Sequence, residues 1–222
     1  MATSDDLLAE TREVRERILA HPVVTGIGSG DLPLEAFRYY VRQDYVFLVE
    51  YSRVLALAVA KAHDLALMEL FARLVQATLD VEMELHRGYC ARLGITRAEL
   101  EATEPSPTTR AYTDHLLHVA WQSTTVEIMA ALLPCQWGYW EIGRELTDRG
   151  LPAHRPLYAE WIAMYGGDEY RDLAARLRAT FDRAAADVSA AERTRLSASF
   201  HTSSRYEYAF WDAALRQEDW PV

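Results

Sequence analysis

Residues 128–142 read I-M-A-A-L-L-P-C-Q-W-G-Y-W-E-I, the most apolar run in the chain. Thr124 and Glu127 stand before it at the spacing of a capping box, so a helix is predicted to start there and carry the whole run. Pro134 falls well inside that helix. It removes one backbone donor, leaves the Ala130 carbonyl without its usual partner, and is expected to bend the helix. Cys135 follows directly, and Tyr139 lies one turn further on, on the same face. A thiol beside a bend with a phenol next to it is a candidate nucleophile, although a lone buried cysteine is more often a small hydrophobe. The rest of the chain is arranged to surround this run.

Outward from it, the 3.6-residue period is nearly everywhere, and no alternating run of β-branched residues bounded by turn dipeptides is found. Helices are predicted over about 4–20, 34–63, 65–93, 108–122, 124–149, 156–165, 168–187 and 189–217. Residues 21–33, H-P-V-V-T-G-I-G-S-G-D-L-P, hold three glycines and two prolines and are predicted to be a loop. Thr96 with Glu99, and Ser189 with Glu192, make two further capping boxes. Pro156 suits a first helical position, and Asp168 is placed to cap the helix that follows Gly166 and Gly167. Without repeat or linker, residues 1–222 are expected to form one all-α, multi-helix bundle of about seven or eight helices.

Composition narrows the function. Of 222 residues, 50% are hydrophobic and 25% charged, with a formal net charge of −10. No basic run offers a phosphate-binding surface, so nucleic acid is not an expected partner. No stretch approaches the ~18 apolar residues of a membrane span, and the acidic start of the chain is unlike a signal peptide. Cys90 and Cys135 are the only cysteines, so a disulfide scaffold is not expected and the thiols are read as reduced, in a cytoplasmic setting.

Three helices each turn one reactive group toward an apolar face. Asp44 sits among Phe37, Tyr40, Val41, Phe47, Leu48 and Tyr51. Glu207 projects beside Phe200, Phe210 and Trp211, near Ser203 and Ser204, which are placed to hydrogen-bond it. Cys135 is the third. Burying an unpaired carboxylate is costly, so each acid must be protonated, paired or hydrogen-bonded. The plainer alternative pairs Asp44 and Glu207 with Arg42 or Arg205, or leaves them in water at helix edges. Tyr112, Tyr139, Tyr165 and Trp211 offer flat faces to a planar heterocycle, though aromatic stripes also serve as core. Glu82, Glu84 and His86 raise a di-metal reading. That pattern wants Glu-x-x-His from two helices, whereas this chain has Glu-x-x-x-His once, and His118 and His201 lack matching carboxylates.

Taken with H-P-V-V-T-G-I-G-S-G-D-L-P at 21–33, Y-Y-V-R-Q-D at 39–44, E-M-E-L-H at 82–86, P-S-P-T-T-R-A-Y-T at 105–113, L-L-P-C-Q-W-G-Y at 132–139, Y-G-G-D at 165–168 and S-S-R-Y-E-Y-A-F-W at 203–211, the chain resembles the TenA family, the thiaminase II group. The resemblance covers about 21–215. It implies an all-α fold like that of haem oxygenase, without a haem, assembled as a homotetramer. It also implies hydrolysis of thiamine-derived aminopyrimidines, above all 4-amino-5-aminomethyl-2-methylpyrimidine to the 5-hydroxymethyl pyrimidine and ammonia, and cleavage of thiamine itself.

By position, the resemblance makes Cys135 the nucleophile, Glu207 the acid and Asp44 the carboxylate that binds the pyrimidine and supports the thiolate. Tyr112, Tyr139 and Tyr165 match pocket residues, and no metal or organic cofactor is implied. Phe47 departs from the family's usual tyrosine and so lacks a hydroxyl beside the nucleophile. A free thiol with pKa ~8.5 needs a base at neutral pH, and Asp44 is the candidate. The bend at Pro134 is expected to widen the bundle and admit a flat ring to the sulfur. The competing readings are a di-metal oxidase on the same scaffold and a non-catalytic pyrimidine-binding protein.

Overall fold

Helix follows helix along the computed structural model, which describes residues 3–222 and holds no strand among them. In chain order these are α1 (Ser4–Glu10), α2 (Arg12–Leu19), α3 (Pro22–Ser29), α4 (Leu34–Lys61), α5 (Leu65–Ala77), α6 (Met83–Arg92), α7 (Arg97–Glu101), α8 (Pro107–Gln122), α9 (Thr125–Arg149), α10 (Pro156–Tyr165), α11 (Asp168–Ala185) and α12 (Ala190–Arg216). A π-turn, Thr78–Glu82, joins α5 to α6. The all-α class is as predicted, but the twelve helices are shorter and more numerous than the apolar period alone suggests.

The apolar run is α9, buried at every position from 128 to 136, with α10, α11, α12 and α8 packed around it. Thr124 caps its start by accepting from the Glu127 amide, but the reciprocal half of the capping box is missing. The Glu127 carboxylate turns instead to Ser199 and Arg195 on α12. The helix continues unbroken through Pro134. The cavity that Pro134 lines holds about 30 Å³, faces Leu8, Ile18 and Leu19 of the first two helices, and does not include Cys135 among its walls. The cavity at the proline thus opens toward α1 and α2.

Three further expectations are corrected, each for a local reason. Residues 21–33 are not a loop, because Pro22 starts α3, His21 caps it through its Nδ1, and Gly30 ends it in the left-handed conformation at φ 81°. Its inner glycines serve close packing: a Cβ on Gly28 would meet the Leu146 side chain at 2.6 Å, and one on Gly26 would crowd Leu32 at 3.1 Å. The helix expected over 4–20 breaks at Thr11, whose hydroxyl bonds back to the Leu7 carbonyl at 2.9 Å and competes with the helical ladder. Asp168 is the first residue of α11 rather than its cap, where its charge still favours the positive helix end.

One contact sets the site directly. A Cβ on Gly143 of α9 would overlap the backbone at Tyr165 and Gly166, so the end of α10 lies against α9 and brings Tyr165 to Tyr139. Their ring centroids are 4.9 Å apart.

Candidate active site

Asp44 of α4 is buried to 2% exposure and is held by two side chains. Its Oδ2 lies 2.6 Å from His86 Nε2, and it accepts from the Tyr40 hydroxyl at 3.2 Å. Neither Arg42 nor Arg205 pairs with it; Arg42 bonds Thr103 instead. His86, fully buried, has its Nδ1 2.7 Å from the Glu82 carbonyl, which can only accept, so Nδ1 carries a proton. That fixes the ring and leaves Nε2 to share a second proton with Asp44. Burial alone would push His86 down, but the Asp44 charge and hydrogen bond raise it overall. Among the described residues, no group donates a hydrogen bond to Asp44 Oδ1. With both imidazole nitrogens committed, His86 is not a metal ligand. No three His, Cys, Asp or Glu side chains among the described residues converge where a metal ion could be held.

Glu207 of α12 is the second buried acid. The Tyr112 hydroxyl of α8 donates to its Oε1 at 2.5 Å. The two serines expected to do this are turned elsewhere, Ser203 to His115 and Ser204 to the Phe200 carbonyl. Burial pushes Glu207 up to about 7, although the Tyr112 bond and the Cys135 thiol oppose it. Cys135 is 8% exposed, and burial followed by the Glu207 charge pushes its thiol well above the ordinary range. The thiol faces Glu207 closely enough for each group to act on the other, while the well-formed hydrogen bond of Glu207 goes to Tyr112. The carboxyl nearest in influence to the sulfur is thus Glu207 rather than Asp44, whose Oδ2 is occupied by His86.

Aromatic rings pack around these groups. Phe47 lies 5.0 Å from Tyr112 and 5.8 Å from Phe210, while Tyr139 packs at 5.5 Å from Trp211. Tyr40 stacks on Trp211 at 5.1 Å and accepts from Trp161 Nε1. Burial, the largest cause for each, raises Tyr40, Tyr51, Tyr112, Tyr139 and Tyr165, so all keep their protons and remain donors. The seven residues expected to form the site (Asp44, Phe47, Tyr112, Cys135, Tyr139, Tyr165 and Glu207) are all buried and belong to this one neighbourhood. His86, Tyr40, Tyr51 and Gln136 were not assigned to it. The sequence marked His86 only through the di-metal reading, whose Glu-x-x-His spacing it does not match; only the fold shows that it meets Asp44.

The raised Glu207 makes stability depend on pH. In the folded chain the group is held neutral up to about 7, whereas its ordinary value is 4.5. Between those values the unfolded chain has released a proton that the folded chain keeps, so stability falls as pH rises from 4.5 through 7 and then levels off. At roughly 1.4 kcal/mol per unit the loss is about 3 kcal/mol. Denaturant titrations should show Glu207→Gln gaining that much on the wild type between pH 4.5 and 8. Parallel stability curves for the two proteins would disprove it.

Comparison with known proteins gives a consistent picture. The profile of the TENA/THI-4/PQQC family matches residues 8–217. The aminopyrimidine aminohydrolase of Halalkalibacterium halodurans is 42% identical, with the match covering 99% of this chain and 98% of that protein. Among solved structures, the TenA homologue of P. horikoshii superposes with a TM-score of 0.88 at 34% identity, over 97% of this chain and 99% of that one. A protein of haem-oxygenase-like fold from Shewanella denitrificans shares the architecture with a TM-score of 0.73 at 13% identity, over 96% of this chain and 92% of that one.

Proposed function

Because the chain belongs to the TENA/THI-4/PQQC family, we propose that it is an aminopyrimidine aminohydrolase of thiamine salvage. Its substrate on this reading is 4-amino-5-aminomethyl-2-methylpyrimidine, with thiamine cleavage as the related activity. The observation that supports the reading is that Cys135, a Glu207 raised to about 7 and an Asp44 held by His86 are buried among the same aromatic rings and influence one another.

The residues divide the work as follows. Asp44 Oδ1, free while Oδ2 is held by His86, accepts from the pyrimidine 4-amino group. Tyr112, Tyr139, Tyr165 and Phe47 supply faces for the ring. Glu207, raised to about 7, is about half ionised at neutral pH, and its ionised form takes the thiol proton as the sulfur attacks the ring carbon next to the one bearing the methylene. It then gives that proton to a ring nitrogen. The adduct is no longer aromatic, so its electrons expel the amine from the methylene as ammonia, with the C–N pair leaving on nitrogen. Water adds to the methylene carbon and gives a proton to Glu207, the C–S bond breaks as the ring regains aromaticity, the thiolate takes that proton from Glu207, and the ring nitrogen releases its own to solvent. The proton inventory closes at each turn, and no metal or organic cofactor enters it.

Phe47 occupies the ring's place beside Tyr112 without the hydroxyl common in the family. The family also carries the expectation of a cytoplasmic homotetramer. Among the described residues, no helix is long and apolar enough to cross a membrane. The test is chromatography of the wild-type reaction with the aminomethyl pyrimidine, alongside an ammonia assay. Hydroxymethyl pyrimidine and ammonia are expected in equal amounts, without added metal. Ligand-dependent stabilisation with no turnover would favour a binding protein instead.

A further inference from the structure

Glu82 closes the π-turn and is 8% exposed, yet its carboxyl has no hydrogen-bond or ion-pair partner among the described residues. It lines a cavity of about 170 Å³ with Thr78, Gln136, Met164 and Tyr170. Gln136 follows Cys135 in the chain, and its Oε1 accepts from Tyr51 at 3.0 Å. The Glu82 charge acts on the Cys135 thiol and on the hydroxyls of Tyr51, Tyr165 and Tyr170, so this cavity borders the site of the reacting sulfur.

The other two acids there are already engaged: Asp44 meets His86, and Glu207 meets Tyr112 and the thiol. Among the buried carboxyls of the described residues, Glu82 alone has no hydrogen-bond or ion-pair partner, and the exposed Glu169 also lines the cavity. A buried carboxyl in that state is relieved by a cation brought opposite it. The aminomethyl substrate carries one cationic centre, its alkylammonium, and the hydroxymethyl product carries none. We propose, on the reading of the function given above, that Glu82 is the counter-charge of a leaving-group subsite that takes a primary alkylammonium. The subsite then distinguishes substrate from product by charge. Burial, then the neighbouring Asp44 charge, pushes the empty group up to about 8, so docking of the cation displaces a proton.

Glu82→Gln keeps the shape and removes the charge. At pH 7 its KM for the aminomethyl pyrimidine is expected to rise at least roughly 10-fold. Inhibition by the neutral hydroxymethyl product should stay within about twofold, which also shows that the variant is folded. An unchanged KM overturns the subsite, and so does a parallel loss of substrate and product affinity. A wild type that never turns over the aminomethyl pyrimidine overturns the functional reading and this inference with it. An active wild type with an unchanged variant overturns the subsite alone.

Discussion

Cys135→Ser is expected to lower kcat for ammonia release by roughly 10³-fold or more while leaving the fold intact. The thiol is a poor nucleophile until it loses its proton, and its burial makes that loss harder still. What the site supplies is an adjacent carboxyl whose own proton affinity burial has raised to about 7. A serine hydroxyl keeps the volume and the neighbours but is far less acidic and a weaker attacker of an aromatic carbon. Circular dichroism and thermal melting should therefore be nearly unchanged, and only turnover should collapse. Wild-type release of hydroxymethyl pyrimidine by the serine variant would remove the thiol from the mechanism.

His86→Leu is expected to destabilise the protein by about 3–5 kcal/mol at pH 8, the cost of leaving one member of a buried pair alone. His86 is fully buried, Asp44 almost so, and the Tyr40 hydroxyl at 3.2 Å is the remaining partner of Oδ2. Adding Asp44→Asn to His86→Leu should recover most of the loss, because the uncompensated charge is then gone as well. Urea unfolding of the two single variants and the double variant measures the coupling. A single-variant loss below about 1 kcal/mol would show that Tyr40 alone satisfies the carboxylate.

Much of this was legible in the sequence, and the reasons are particular. Asp44, Cys135 and Glu207 stood out because a charge or thiol on an apolar helical stripe requires an explanation wherever it occurs. The capping boxes at Thr96 and Ser189 formed as read, since they depend on residues three apart. What failed depended on partners distant in sequence. The glycines of 21–33 looked like loop residues until Leu146 and Leu32 were seen to fill their missing side chains. The serines beside Glu207 were near in helical spacing, but Tyr112, 95 positions away, holds the carboxylate. Asp44 and His86 are 42 positions apart, and no local pattern joins them.

The π-turn has a consequence for helical phase. A π-turn spends one residue more than an α-turn to make the same advance, and one residue of α-helix corresponds to about 100° of rotation. Everything in α6 is therefore displaced by that angle from the face it would occupy if α5 simply continued. Glu82 lies at the last position of the wide turn and His86 four residues on, so the turn aims one at the cavity and the other at Asp44. The site's alignment is thus set by a count of residues as well as by their kinds. A chain with the same side chains and one residue fewer between 78 and 82 would present a different face of α6 to the site.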